Sequence, residues 1–242
     1  MRTIRLYHHS PLTTANSITL DENTTHRLLH VLRIKPNQSL ILFNGDGHEY
    51  TARIEHIQKK TITVEILDKT SVSKESPIKL HLGQVIAKGE KMDTILQKAT
   101  ELGVCNITPL FSKRSIPTWD EKRFAKKMEH WQSILIQASE QCGRCQIPTL
   151  HSAQDFQEWI AKRSETQKLI LDPHTPSSPS QLSATEPTVL TVGPEGGFTN
   201  EETQLAQQKG FHSLSLGPRI LRVETASLAA IVVLQHAMGD MS

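Results

Sequence analysis

The chain changes texture near residue 70, and that change limits its possible folds more than any single motif. Up to about Thr70 the apolar segments are short and alternate with polar residues, in Ser39 to Phe43, His48 to Ile54 and Thr61 to Leu67. A period of two half-buries a strand. Asn44-Gly45-Asp46-Gly47 marks a turn between the first two segments, and Gln58-Lys59-Lys60 separates the second from the third. One helix, from about Asn23 to Leu32, interrupts them, so this part reads as a small β-barrel. Ser71 to Pro77 is a polar linker. Beyond it strands and helices take turns: Ile78 to Val85, helix Lys91 to Leu102, Ile107 to Phe111, helix Lys122 to Gln141, then Lys168 to Leu171. Such alternation specifies an α/β domain whose mostly parallel sheet is covered on both faces. Thr175 to Pro187 is rich in Ser and Pro and reads as a mobile loop near a pocket.

Two glycine-bearing loops complete this second part. Gly193-Pro194-Glu195-Gly196-Gly197-Phe198-Thr199 follows a buried strand at Thr188 to Val192. Leu216-Gly217-Pro218-Arg219-Ile220-Leu221-Arg222-Val223-Glu224-Thr225-Ala226 follows one at Phe211 to Leu216, and each loop runs into a helix. Ligands of open α/β sheets bind outside the carboxyl ends of strands, so two such turns indicate one shared pocket. No Lys follows Gly197, which removes the phosphate-cradling loop, and Pro194 and Glu195 break the dinucleotide pattern. Glu195 would also repel a pyrophosphate. A ligand without phosphates, read by backbone groups and carrying positive charge, suits these loops better.

The two strings resemble the C-terminal signatures of the 16S ribosomal RNA (uracil-N3) methyltransferase family, within the knotted SPOUT superfamily. Three upstream strings match in family order: His26-Arg27-Leu28-Leu29-His30-Val31-Leu32-Arg33, Gln97 to Val104, and Glu140-Gln141-Cys142-Gly143-Arg144. The matches span nearly the whole chain. Two departures are small: Lys113 stands where members often carry Glu, and Cys145 where Ser is common. The resemblance implies a PUA-like RNA-binding barrel over residues 1–72. It also implies a SPOUT methyltransferase domain over 73–242, with a C-terminal trefoil knot and a cofactor site in 190–226. The implied reaction is methyl transfer from S-adenosylmethionine to N3 of a uridine in 16S rRNA, presented in the assembled small subunit. Thr191, Val192, Gly193, Gly196, Gly197, Leu216, Gly217, Ile220, Leu221, Thr225 and Ala226 would then surround the cofactor. Arg222 with Glu224, and Arg144 with Glu140, read as charged pairs near the chemistry. Arginine is no ready base at neutral pH, so Arg222 or Arg144 would hold a phosphate or the developing uridine oxyanion. No residue is identified as the base.

Charge is distributed unevenly. Met1 to Thr70 carries +2, Ser71 to Ile170 carries +4, and Leu171 to Ser242 carries −4. The acidic third holds the glycine loops, which favours a cationic cofactor, and the basic remainder suits a polyanion. His26, Arg27, His30 and Arg33 recur at helical spacing, with Leu28, Leu29, Val31 and Leu32 on the other side, giving a basic stripe opposite an apolar face. These four, with Arg5, Lys88, Lys91 and Arg114, are the candidate RNA contacts. Lys88 and Lys91 equally suit a helix start paired with Glu90 and Asp93. Three cysteines form no disulfide framework. Cys142-Gly143-Arg144-Cys145 closes a helix rather than opening one, with Gly143 as its C-cap, so no metal or redox site is expected.

No apolar leader precedes Tyr7, and Ala226 to Leu234 is too short to span a bilayer; a cytoplasmic protein is expected. From Glu224 to Met238 few positions are polar, and a helix apolar all round must be covered on every side, so a homodimer built on this helix is expected. Two other classes fit parts of the chain. A non-catalytic RNA-binding assembly factor leaves the glycine loops idle, and a nucleotide-cofactor enzyme such as a dehydrogenase lacks its Gly-rich pattern.

Overall fold

The structure is a computed structural model that describes residues 3–115, 120–175, 182–183 and 185–241. Two compact units divide the chain: Met1–Glu75 with Ser139–Ile147, and Ser76–Ala138 with Pro148–Ser242. Most of the Ser/Pro-rich segment expected between Thr175 and Pro187 lies outside the described residues.

The first unit holds a five-stranded sheet of β1 (Arg5–Tyr7), β2 (Ser17–Thr19), β3 (Ser39–Phe43), β4 (His48–Ile57) and β5 (Ile62–Ser71), ordered β1-β3-β4-β5-β2. β1 runs parallel to β3 and the other pairs are antiparallel. Alternation places Tyr50, Ala52 and Ile54 of β4 in one core with Leu40, Leu42, Val64 and Ile66. β4 and β5 run past the expected ends at Ile54 and Leu67, because ladder bonds continue beyond the last inward apolar side chain. β1 and β2 were not foreseen; three residues are too few for alternation to register.

Helix α1 (Glu22–His26) starts at Asp21, whose carboxylate accepts from the Thr24 NH, and continues as a π turn over Arg27–Val31. The π turn corrects the expected apolar face. Leu28 is buried, whereas Val31 and Leu32 are 69% and 44% exposed, because the wider turn rotates the last residues off the core.

The second unit contains β6 (Leu80–Val85), α2 (Lys91–Glu101), β7 (Asn106–Phe111) and α3 (Glu121–Cys142), whose last turn groups with the first unit. Then come β8 (Thr149–Leu150), β9 (Gln154–Asp155), α4 (Phe156–Ala161), β10 (Gln167–Leu171), β11 (Thr188–Val192), α5 (Asn200–Gln208), β12 (His212–Leu214) and α6 (Val223–Met238). The sheet order is β12-β10-β11-β6-β7-β8, with β9 also on β7, and every pairing is parallel. Every residue of β6 and β11 is buried, as central strands covered on both faces require. The last strand is shorter than the expected Phe211 to Leu216.

Buried hydrogen bonds fix α6. Ser227 Oγ donates to Gln84 Oε1 at 2.7 Å, and Gln235 accepts from Ser76 Oγ at 2.7 Å while donating to the Leu102 carbonyl at 2.6 Å. Both residues are fully buried, so each bond satisfies a group that would otherwise cost free energy. α6 therefore has one determined position against α2 and the sheet.

Candidate active site

The carboxyl ends of β10, β11 and β12 open into a cavity of about 780 Å³ in the second unit. Three loops wall it: Leu171 to Thr175 after β10, Val192 to Phe198 after β11, and Leu216 to Val223 after β12. The volume suits a ligand of a few tens of atoms. The glycine turns are required by conformation: Gly197 and Gly217 have φ of +67° and +93°, where a side chain is strained.

The first glycine loop is braced from outside. Arg114 Nη1 donates to the carbonyls of Gly196 at 2.5 Å and Phe198 at 3.3 Å. Glu195 accepts from the Lys88 NH and from Lys91 Nζ, both at 3.0 Å. Burial pushes the Glu195 carboxyl up, but bonds from its own NH, the Lys91 ammonium and the Lys88 NH outweigh burial and hold it below the usual carboxylate range. Phe198 stacks on Phe156 at 4.5 Å. A capping box, Thr199 with Glu202, starts α5 and fixes where the loop ends.

Of the expected cofactor residues, Val192, Gly193, Gly196, Gly197, Leu216, Gly217, Ile220, Leu221 and Ala226 line the cavity. Thr191 does not: it lies buried beneath, its hydroxyl donating to the Gly83 carbonyl at 3.1 Å. Thr225 is exposed on α6 and also does not line it. The Leu171 to Thr175 wall was missed. Its available signal was position alone, just past a short strand, and Asp172 organises it by accepting from the His174 NH at 3.0 Å and the Thr175 hydroxyl at 2.7 Å.

The expected charged pairs are corrected. Arg222 lines the cavity as the residue capping α6, but it makes no ion pair with Glu224, because residues two apart at a helix start do not face each other. Glu224 instead has a buried Oε2 with no hydrogen-bond partner. Arg144 does not pair with Glu140. It donates to Glu75 through Nε at 2.9 Å and Nη2 at 2.6 Å, and its side chain is 4% exposed. The turn at Gly143, with φ of +89°, carries Arg144 away from the helix face that holds Glu140. So enclosed, Arg144 is held by Glu75 and does not line the cavity. Arg219, not singled out from the sequence, lines the cavity beside Arg222, and neither makes an ion pair among the described residues.

The candidate RNA contacts divide similarly. Arg5 is enclosed: it pairs with Glu49 at 2.8 Å, donates to the Ser139 carbonyl at 2.9 Å and lies over Phe43 at 4.7 Å. It is a structural residue of the first unit. Arg27 is held by Glu140 at 2.9 Å, whose other oxygen accepts from the Tyr7 NH. His26, His30 and Arg33 are exposed. Lys91 pairs with Glu195 rather than with Asp93, which instead accepts from His130 and Trp131. Lys91 and Arg114 line the cavity, and Lys88 contributes its NH to the loop. Cys145 is buried, and burial raises its thiol pKa.

A glycine-looped cavity at the carboxyl edge of a parallel sheet, with unpaired arginines at its wall, defines a class with matching comparisons. An RNA methyltransferase domain family matches residues 74–235, and an RNA methyltransferase PUA domain family matches residues 20–67. The chain is an RNA methyltransferase by family.

The Ribosomal RNA small subunit methyltransferase E of Buchnera aphidicola subsp. Schizaphis graminum is 40% identical, over 93% of this chain and 92% of the relative. A putative methyltransferase of Legionella pneumophila, solved with S-adenosylmethionine bound, is 43% identical with a TM-score of 0.95, over 99% of this chain and all of that one. The Ribosomal RNA small subunit methyltransferase E of Neisseria gonorrhoeae, also solved with S-adenosylmethionine, is 38% identical with a TM-score of 0.92 over the full length of both. This chain belongs to the ribosomal RNA small subunit methyltransferase E family. Its mixed architecture, a small N-terminal sheet and a parallel sheet, is theirs. Among the described residues no helix is long and apolar enough to cross a membrane.

Proposed function

We propose that this chain methylates N3 of a uridine in small-subunit rRNA, with S-adenosylmethionine as methyl donor bound in the cavity between the two glycine loops. The observation that carries this reading is the cavity itself, in a chain of this family: it presents backbone amides and carbonyls, apolar side chains from Val192, Leu216, Ile220 and Leu221, and no phosphate-binding pattern. Such a lining accommodates a sulfonium, which needs no anionic partner when carbonyl dipoles surround it. Bound there, S-adenosylmethionine supplies an activated methyl on sulfur. The chain must hold the uridine N3 in line with the sulfur–methyl bond, and must let the N3 proton leave to an acceptor as the new N–C bond forms. Arg222 and Arg219 are the unpaired cations at the wall, suited to a neighbouring phosphate or to the oxygen charge that grows on the deprotonated ring. The base must leave any stacked arrangement to enter.

The same reading makes residues 1–72 a PUA-like barrel that binds RNA and makes 73–242 the methyltransferase domain. The strand order, in which β11 lies between the earlier β10 and β6, is compatible with the C-terminal chain threading a trefoil knot. The substrate is 16S rRNA within the assembled small subunit, where folded RNA positions the base, and the setting is cytoplasmic. α6 is the proposed homodimer contact, since Val232 and Val233 are 40% and 42% exposed on an otherwise apolar helix. Sedimentation at micromolar concentration tests the dimer, and a fully active monomer refutes it.

Calorimetric titration with S-adenosylmethionine, NAD and ATP tests the cofactor, with binding expected for the first alone. Primer extension on rRNA from treated small subunits should stop at the modified uridine, because N3 methylation removes its pairing edge. Methylation at a ribose or at carbon 5 refutes the assignment.

A further inference from the structure

The first half of α3 carries four cations that the fold leaves uncommitted. Lys122, Arg123, Lys126 and Lys127 make no ion pair among the described residues. At 100° per residue these four, with His130, fall within an arc of about 140° on one side of the helix. The opposite side is the packed one, with Trp131 and Leu135 buried and Phe124 set against Phe111 at 5.8 Å and Trp131 at 6.4 Å. Acidic groups do little to balance the stripe. Asp120 uses its carboxylate on the Arg123 NH at 2.7 Å, Glu121 lies around the helix, Glu129 alone of the helix's own acids borders the arc, and Asp93 of α2 meets only its far end, at His130. Lys122 with Lys126, and Arg123 with Lys127, are like-charge pairs one turn apart, each costing a helix roughly 0.2–0.5 kcal/mol. Folding gains nothing from this arrangement, whereas a polyanion laid along the helix would offset its cost.

The stripe also leads to the cavity. His130 and Trp131 are both held by Asp93, at 2.7 Å and 3.1 Å, in the first turn of α2. Lys91 of that same turn lines the cavity. Phe111, beneath Phe124, ends β7 three residues before Arg114, which lines the cavity too. Both contacts under the stripe therefore rest on elements that wall the site.

We propose that this face of α3 binds the phosphate backbone of the substrate RNA and guides it toward the cavity. The inference rests on the RNA-methylation reading above and adds a surface that reading does not assign. Lys122 and Lys126 succeed one another at about 6 Å along the axis, as do Arg123 and Lys127, so a strand can follow the helix and meet cations on successive turns. Three lysine ammonium groups and one forked arginine guanidinium suit phosphate oxygens rather than base edges, so the contact is sequence-independent and fixes position, leaving base choice to the cavity.

The test uses the full chain with Lys122→Gln, Arg123→Gln, Lys126→Gln and Lys127→Gln combined. Gln keeps helix propensity, so the fold is retained. A fluorescent small-subunit rRNA fragment is titrated at several salt concentrations, and S-adenosylmethionine is titrated by calorimetry. Each lost contact should lower the salt slope by about 0.7, about 3 in total, and affinity near 0.1 M salt should fall about tenfold or more. S-adenosylmethionine binding should not change. The control removes equal charge at scattered exposed positions outside the proposed barrel, Lys74→Gln, Lys79→Gln, Lys162→Gln and Lys209→Gln, and should keep the parent slope. An unchanged slope in the α3 variant, or an equal drop in the control, overturns the proposal. If the parent binds RNA but transfers no methyl group, the enzymatic reading fails and the slope comparison still decides the surface. If the parent binds no RNA, both fall.

Discussion

Replacing Gly83 by alanine should destabilise the second unit although alanine normally stabilises a strand relative to glycine. Gly83 sits inside β6, between β11 and β7, and its backbone does not need positive φ. On conformational grounds alone, Gly83→Ala should gain about 0.4–1 kcal/mol. Space reverses the sign. A Cβ on Gly83 would lie 2.6 Å and 2.8 Å from Cζ3 and Cζ2 of the Trp159 indole, and nearer still to Cη2. Trp159 is fully buried, with Phe211 at 6.5 Å, the His81 ring edge-on at 5.5 Å and the Arg163 guanidinium over it at 5.0 Å. The ring has no free direction, so overpacking should cost about 2–3 kcal/mol. For a chain of this size that lowers Tm by about 4–12 °C. Trp159→Leu alone should also destabilise, by about 2–4 kcal/mol through its cavity. Together the two should cost less than their sum, by about 1–3 kcal/mol, because the new methyl occupies vacated space. Urea and thermal unfolding followed by far-UV circular dichroism measure all four proteins without relying on Trp159 fluorescence. Gly83→Ala as stable as the parent, or additive effects in the double variant, would refute the packing argument.

Two further outcomes follow from the site and its surroundings. The Glu165 carboxyl is held at about 2 against an ordinary 4.5, first by its hydrogen bond with His81, against the effect of burial, and further by its own NH and Arg163. A depressed folded pKa gives stability that is complete above the unfolded value and lost as pH falls through the folded one, so the acid limb should run from about 4.5 down to about 2. Glu165→Gln should flatten that limb in pH-dependent urea titrations, and an unchanged limb would remove Glu165 as its source. Gly217→Val should weaken S-adenosylmethionine binding by about tenfold or more in calorimetry, since a β-branched residue at φ of +93° must shift the loop. Gly196→Val meets only the Arg114 side chain, at 3.4 Å, so its effect on binding should be smaller; equal binding by both variants and the parent would mean the pocket is elsewhere.

The fold was legible where a segment was long enough to show its period. α2, α3, β3 and β11 match expectation within one or two residues at each end, because ten or more residues of helical spacing, or a mostly apolar run bounded by turns, leave little choice. The six-residue α4 and the short strands β1, β2, β8 and β9 have no such signal. They form because neighbours already in place offer unpaired backbone groups, as β7 does for β8 and β9. The π turn was invisible for another reason: His26 to Arg33 spaces its residues as an ordinary helix would, and only the fixed position of Leu28 in the core shows which ones rotate outward.

The site was legible in its glycines and poorly legible in its charges, and the difference is one of range. A glycine that must turn the chain after a strand is required by its immediate neighbours, so the two loops could be read from the order of residues. A cation is free or occupied according to what lies opposite, which is settled far along the chain. Arg5 is enclosed by Glu49 and by carbonyls near residue 140, Arg27 by Glu140, Lys91 by Glu195, and Arg114 by the carbonyls of Gly196 and Phe198. Four of the basic residues first expected to meet RNA thus already have partners 44 or more positions away. Lys122 to Lys127 drew no expectation because an alternation of Lys, Arg and Glu at a helix start reads as an ordinary solvated face. They are a cluster of cations, on one helix face, that no ion pair among the described residues takes up, and a polyanion is drawn to the charge that remains unpaired after folding rather than to the number of basic residues in a segment.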